Sequence, residues 1–171
     1  AALSAAKGIQ AMALTDINNT MGTVDFVKAC HKNGIKPLAG IEFRKGNRLL
    51  YIAIAQNNKG FQEINEFLSN HNISSTPLPS LAPAFDHTYI IYPFGERKPT
   101  QLRDNEYTGV RIADINKLIS SEYRHKQHKL LALNSLTFLN ENGYELHRNL
   151  RAIDNNIVLS QLVPEQVASP D

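Results

Sequence analysis

The sequence has few of the residues and patterns that mark specialised protein classes. Cys30 is the single cysteine, so an internal disulfide and a cysteine-based zinc cluster are excluded. The longest apolar run, from Leu49 to Ala55, is far too short to span a bilayer. No basic stretch followed by an apolar one opens the chain, as it would in a secretory signal. These absences favour a soluble α/β domain in the cytoplasm, with no membrane partner.

The sequence also has little net charge. The 171 residues include 18 Lys and Arg against 16 Asp and Glu, a formal net charge of +2. A balance so close to neutral does not by itself indicate a nucleic-acid or membrane partner. We therefore expect only weak, salt-sensitive affinity for duplex DNA. The length suits one domain with a short appendage.

Several catalytic and nucleotide-binding motifs are missing as well. There is no glycine-rich phosphate loop, no H-E-x-x-H and no G-x-S-x-G. His125 and His128 come closest to a metal spacing, but they belong to a basic run at 124–129 that we interpret as solvated. Cys30 is interpreted as a packed core thiol. No catalytic residue is predicted.

Hydrophobic periodicity predicts strands that alternate with helices, as in a mostly parallel sheet or a barrel. A hairpin is expected at Gly46-Asn47, and 70–87 is expected to be the longest loop. The predicted strands are 11–15, 35–43, 49–55, 89–92, 107–112 and 130–133, and the predicted helices are 21–33, 58–69, 112–120 and one through 146–153.

Two further predictions concern the ends of the sequence. Leu3 to Gly8 looks like the last turns of a helix whose beginning is absent, which favours a chain that lacks an N-terminal strand. The tail from 157 to 171 has two prolines and is predicted to be a linker. The domain itself is predicted over 1–156.

Two acidic residues stand where α/β folds often place chemistry. Asp16 directly follows a buried strand, and Glu42 lies near the end of the next strand. The carboxyl ends of parallel strands border the ligand crevice, and carboxylates there commonly hold metals. Alternatively, Asp16 is a turn or cap residue and Glu42 an exposed strand-end carboxylate. Position alone leaves both interpretations open.

Six segments of the sequence together match the pattern of a known family. They are Ala13–Asp16, Gly22–Cys30, Gly34–Phe43, Ala55–Phe61, Leu131–Asn134 and Glu145–Ile153. These segments resemble the PHP (polymerase and histidinol phosphatase) domain, and more narrowly the PHP domain that opens the alpha subunit of bacterial DNA polymerase III. The similarity runs from about Ile9 to Asn156.

The resemblance implies a distorted (β/α)7 barrel with up to three Zn, Mn or Mg ions held by His, Asp and Glu at the strand ends. Much of that ligand set is not matched here. The family's H-x-H strand would either lie before Ala1 or be lost, and its T-D-H motif is Thr15-Asp16-Ile17. G-x-E survives as Gly40-Ile-Glu42. A further histidine aligns near Leu50, and the late D-x-H aligns with Ser135-Leu-Thr137.

The resemblance therefore implies a PHP domain of a replicative polymerase whose phosphoesterase site has decayed. Asp16 and Glu42 would be relict metal positions, and no metal is expected in this fragment. The implied partners are a polymerase (nucleotidyltransferase) module of the same chain, a proofreading exonuclease subunit, and DNA through the parent protein. A free-standing phosphoesterase of the histidinol-phosphatase or nucleotide-phosphatase kind, and a scaffold unrelated to replication, remain alternatives.

Asp16 and Glu42 should lie near each other at the mouth of the barrel. The core should include ten residues on apolar strands or helix stripes, namely Leu14, Val27, Ile41, Ile52, Ile54, Ile64, Leu68, Ile90, Leu131 and Leu150.

Overall fold

A computed structural model describes residues 1–138 and 140–168. The chain divides into two compact units, Ala1–Leu133 and Asn134–Asp171. Part of the predicted linker, residues 169–171, lies outside the described residues. No helix in the described part of the chain is long and apolar enough to cross a membrane.

The first unit contains the sheet and the helices that pack on it. The predicted alternation of strands and helices is confirmed. The elements in chain order are α1 (Ala2–Ala6), β1 (Ala11–Ile17), α2 (Thr23–Lys32), β2 (Lys36–Lys45), β3 (Arg48–Ala55), α3 (Asn58–Ser74), β4 (Thr88–Pro93), β5 (Glu106–Val110), α4 (Ile115–Ile119) and β6 (Leu130–Ala132).

The six strands form one curled sheet, a half-barrel in which strand order follows chain order. β3 runs antiparallel to both neighbours, and the other three pairings are parallel. The hairpin predicted at Gly46 is confirmed, and Gly46 has the positive φ of 58° that such a tight turn favours. The closed barrel of seven strands and the missing first strand stay predictions.

The two faces of the sheet differ in how they are covered. Paired residues share a face and successive residues alternate, so the register assigns each side chain to a face. α2 and α3 pack on one side, which we call the covered face, and the other is the open face. Most of the main buried core lies on the covered face. This core comprises Ile41, Phe43, Leu50, Tyr51, Ala53, Ile64, Leu68, Ala82, Ile90 and Tyr92.

The loop predicted at 70–87 begins later than expected, because α3 continues to Ser74. Its last turn is held by side chains that bond to carbonyls one turn earlier. His71 Nδ1 lies 2.8 Å from the carbonyl oxygen of Phe67, and Ser74 Oγ donates to that of Asn70 at 2.6 Å. The helix ends where Ser75 adopts a left-handed conformation, with φ of 52°.

The predicted core is correct in part. Five of the ten residues are buried and three are half-buried. Leu131 and Leu150 are 40% and 55% exposed, so their predicted burial is wrong. Leu131 lies on the open face of β6, the edge strand. Leu150 lies in an exposed apolar stripe with Leu146 and Ile153 of the same helix. The amphipathic pattern of the helix therefore did not make Leu150 part of a core.

That stripe belongs to the second unit, whose main helix is α5 (Glu141–Asp154). Asn140 caps the start of α5, since its Oδ1 accepts from the backbone N–H of Gly143 at 2.9 Å. The following segment folds back on the helix through short 3-10 turns. Arg151 Nε donates to the carbonyl of Gln166 at 2.6 Å, and the N–H of Ala168 donates to His147 Nε2 at 3.0 Å.

Candidate functional site

The carboxyl ends of β1 and β2 form the candidate site, because both acidic residues singled out in the sequence lie there. β1 and β2 are parallel neighbours that end side by side, with Ile17 opposite Glu42 and Asp16 opposite Ile41. In open α/β sheets this edge is where ligands bind.

Asp16 lies on the covered face, toward the start of α2. Its Oδ2 accepts a hydrogen bond from the backbone N–H of Gly22 at 3.2 Å. A Cβ at Gly22 would lie only 2.9 Å from that oxygen and 3.3 Å from Leu14, so glycine permits the close approach. Asp16 therefore organises the turn that leads into α2.

Glu42 lies on the open face, opposite to Asp16. Its partners in the register are Ile17 on one side and Ile52 on the other. The expectation that Asp16 and Glu42 bring their carboxylates together at one rim is therefore wrong. The two residues are offset by one position across the strand pair, and an odd offset sends side chains to opposite faces.

The charge of Glu42 is matched by Arg44, two residues further along β2. Arg44 Nε donates to Glu42 Oε1 at 2.7 Å, and a terminal guanidinium nitrogen also contacts this oxygen. The Glu42 side chain is only 9% exposed, so the pair is largely removed from water. Charge-assisted bonds of this kind are stronger than neutral ones.

The backbone of Arg44 is fixed by a bulge and by a clamp from the β1–α2 loop. The β2–β3 register shifts between Phe43 and Arg44. Asn18, which has a left-handed φ of 50°, both donates to the Arg44 carbonyl at 3.0 Å and accepts from its N–H at 2.9 Å. The Asn18 N–H also donates to the carbonyl of Glu42 at 3.1 Å. The ion pair is thus held by the loop as well as the strand.

The residues at this edge do not fit a tight metal site. Ile17, at the expected histidine position, has no lone pair to offer, and Glu42 Oε1 is engaged by Arg44. Leu50, aligned with another histidine, belongs to the buried core. Within residues 1–138 and 140–168, no three His, Cys, Asp or Glu side chains are grouped so as to hold a metal ion. The assignment of Asp16 and Glu42 as relict metal positions stays a prediction.

The late D-x-H alignment falls in the second unit. Ser135, Leu136 and Thr137 lie outside helices and strands there, and all three are exposed. Serine and threonine hydroxyls are poor substitutes for the carboxylate and imidazole that the resemblance implies at the outer two positions.

Comparison with known proteins identifies the family. A family model described as the PHP domain matches residues 1–149. The chain belongs to the PHP domain family.

Curated relatives of this PHP domain include DNA polymerase III alpha subunits. The subunit of Escherichia coli K12 is 38% identical over 72 residues, which cover 39% of this chain and 6% of the relative. That of Streptococcus pyogenes serotype M3 (strain MGAS315) is 20% identical over 157 residues, 90% of this chain and 15% of the relative. The chain thus spans 15% or less of these relatives' length.

Arg44, whose guanidinium balances the charge of the Glu42 carboxylate, was not predicted from the sequence. A usable signal was present, since residues i and i+2 of a strand share a face and Arg44 follows Glu42 at that spacing. The clamp from Asn18 had no such signal, because it joins residues 26 positions apart.

A second buried ion pair in this PHP domain was also missed. Glu106 on β5 is fully buried on the covered face. Arg103 donates to it from its backbone N–H at 2.8 Å and from its guanidinium at 2.6 and 2.9 Å, and the Tyr92 hydroxyl donates at 3.1 Å. Burial raises the pKa of Glu106, but the hydrogen bonds and charge of Arg103 outweigh it, so the pKa is held below its usual value.

This second pair is structural. The N–H of Ala82 donates to the Tyr92 hydroxyl at 3.1 Å, and Arg103 donates to the carbonyl of Ala82 at 2.6 Å. The cluster therefore ties the long loop before β4 to the strands beneath it. Each carboxylate oxygen of Glu106 accepts from a donor, so the cluster supplies no vacant ligand.

Proposed function

We propose that this chain is the PHP domain of a bacterial replicative DNA polymerase III alpha subunit, and that its phosphoesterase site has decayed. The observation that carries the proposal is the engagement of Glu42 by Arg44 beside Ile17. The family match and the polymerase relatives support the parent protein. The domain would then be non-catalytic, and polymerisation would belong to another module.

Hydrolysis of a phosphoester requires an activated water molecule. Enzymes of this kind use bound metals to activate that water and to neutralise the phosphoryl oxygens. Binding a cation at Glu42 would require breaking its bonds to Arg44 and bringing two like charges together. Asp16 on the other face does not compensate, because its carboxylate is directed toward Gly22.

The partners belong to the same proposal. The domain, over 1–156, would brace the polymerase module of its own chain, with 157–171 as the linker. It would also offer a surface to the proofreading exonuclease subunit, within a cytoplasmic replicase that reaches DNA through the parent protein. The names of the relatives support this replicase context.

Metal titration tests the decayed site. Calorimetry with zinc or manganese should show binding no tighter than about millimolar, as expected for a few oxygen ligands among waters. A generic phosphate ester should not be hydrolysed. Asp16→Ala and Glu42→Ala should leave the titration unchanged, as should Glu96→Gln, a control acid in an exposed pair with Arg48. Micromolar binding that is lost in Asp16→Ala or Glu42→Ala and kept in Glu96→Gln would refute the decayed site.

Direct binding tests the replicase role. The chain should bind the proofreading exonuclease subunit from the same genome in calorimetry or in size-exclusion chromatography. Glu42→Ala should bind equally well, since the proposed surface does not depend on the old site. Failure to bind, with both proteins folded, would refute the docking role and leave the family assignment intact.

A further inference from the structure

The cations of the chain are unevenly distributed, although its net charge is small. Residues 94–129 hold eight of the 18 Lys and Arg residues but only five of the 16 acids. This segment has a net charge of +3, and the rest of the chain has −1. A local field of this kind attracts anions even when the whole molecule is near neutrality.

Most of the acids in this segment are engaged away from its solvent-facing cations. Glu96 pairs with Arg48 of β3, and Glu106 is buried against Arg103. Asp114 accepts from the backbone N–H of Arg111 at 3.1 Å. In the described part of the chain, no acidic side chain lies within ion-pair distance of the exposed Lys117, Arg124 or Lys126.

One cleft of about 420 Å³, beyond the carboxyl end of β4, is lined by three cations of this segment, namely Arg97, Lys98 and Lys117. We call it the basic cleft. The lining residues that matter here are Phe94, Arg97, Lys98, Lys117, Glu122 and Tyr123. Glu122 is the one acid among the described residues that line the cleft, and it lies 3.4 Å from Lys98 Nζ in an exposed pair that contributes little stability.

Arg97 has unused donor capacity at this cleft. One terminal nitrogen donates to the carbonyl of Gln101 at 2.6 Å, and the guanidinium lies over the Tyr92 ring at 5.6 Å. Its Nε is covered and has no hydrogen-bond partner. An unsatisfied covered donor is unfavourable. Arg97 therefore contributes to the lining of the cleft a cation that has one unmet hydrogen-bond donor.

The cleft also presents an aromatic surface. The Phe94 and Tyr123 rings lie with their centroids 6.0 Å apart, and Phe94 is only half-buried. Cations that follow a phosphate backbone, together with an aromatic side chain for a base, are the features that bind single-stranded nucleic acid. An acidic peptide would use the cations but not the ring.

We propose that the basic cleft binds single-stranded nucleic acid through its phosphate backbone, with one base against Phe94. This goes beyond the proposed function, in which DNA is reached through the rest of the parent protein. Few phosphates are contacted, so we expect a Kd of about 1–100 µM at low salt, which agrees with weak binding of duplex DNA at physiological salt.

Fluorescence anisotropy of the whole chain with a labelled oligothymidylate about 16 nucleotides long tests the proposal. The double variant Lys98→Ala/Lys117→Ala should bind about five- to tenfold more weakly, and the slope of log K against log salt should fall by about 1.4, for two lost phosphate contacts. Phe94→Leu should weaken binding without changing the slope. Lys28→Ala/Lys32→Ala, with the same charge change on exposed positions of α2, should bind within about twofold of the wild type.

Three results would overturn the proposal. The first is that the wild type fails to bind the oligonucleotide. The second is that the α2 control variant loses as much affinity as the cleft variant. The third is that polyglutamate binds in place of the oligonucleotide. The last result would assign the basic cleft to an acidic protein segment. Far-ultraviolet circular dichroism on each variant separates loss of binding from loss of fold.

Discussion

The covered face and the open face of the sheet each hold a buried glutamate paired with an arginine, but the two pairs are built differently. Glu106 on the covered face receives bonds from Arg103 and from Tyr92 on the neighbouring strand. Glu42 on the open face is met by Arg44 from its own strand, among isoleucines at 17 and 52.

The difference shows how the surroundings set the role of a buried acid. Glu106 joins two strands and a long loop, so its removal should loosen several elements at once. Glu42 lies where the family resemblance implies a metal ligand, and its counter-charge comes from two residues away. A guanidinium in that place allows a carboxylate to stay buried without a metal.

The largest expected change in stability comes from replacing an isoleucine by alanine on the covered face, compared with the same replacement on the open face. Ile90→Ala on the covered face should lower the free energy of unfolding by about 2–5 kcal/mol, because Ile90 is fully buried. Ile17→Ala on the open face, at a residue 52% exposed, should lower it by less than about 1 kcal/mol. Urea unfolding measures both, and equal losses would contradict the difference in burial between these two positions.

Arg103→Ala tests the pair on the covered face. It should destabilise the domain by about 3 kcal/mol, the low end for a broken buried pair because Arg103 is itself 40% exposed. Arg48→Ala, which breaks an exposed pair, is the control and should change stability by less than about 1 kcal/mol. The double variant Arg103→Ala/Glu106→Gln should recover part of the loss, and no recovery would show that the charge of Glu106 is not the cause.

Arg44→Ala tests the pair on the open face. The loss should be about 1–2 kcal/mol, since two charge-assisted contacts disappear while the backbone clamp from Asn18 remains. Arg44→Lys should lose less, because it keeps the charge and gives up the two-nitrogen contact. A loss as large as that of Arg103→Ala would remove the contrast between the two pairs.

The smallest expected effect is a difference in pH dependence. Glu106 has a folded-state pKa below its ordinary value of 4.5, so below about that pH the unfolded state binds more protons than the folded state. Its contribution to stability is present above the unfolded pKa and is lost as pH falls through the folded pKa. Urea unfolding from about pH 6 to 3 should show this loss in the wild type and a flatter profile in Glu106→Gln. Identical slopes would contradict the assignment.

The order of the elements and the family could both be predicted from the sequence. Periodicity of apolar residues and turn signals such as Gly46-Asn47 act over a few positions, so they can be read without the fold. The same holds for Arg44, whose position on the same strand face as Glu42 follows from their spacing. The extension of α3 to Ser74 was missed because its stabilising contacts are side-chain bonds that periodicity does not show.

Which functional residues meet depends on how distant segments of the chain pack together. The register of β1 against β2 sends Asp16 and Glu42 to opposite faces, and a shift of one residue would have reversed that result. The clamp by Asn18 and the cluster around Glu106 join residues far apart in sequence. The exposure of Leu150 likewise depends on what packs against its helix. Such contacts arise from the packing of distant segments, which local sequence patterns do not encode.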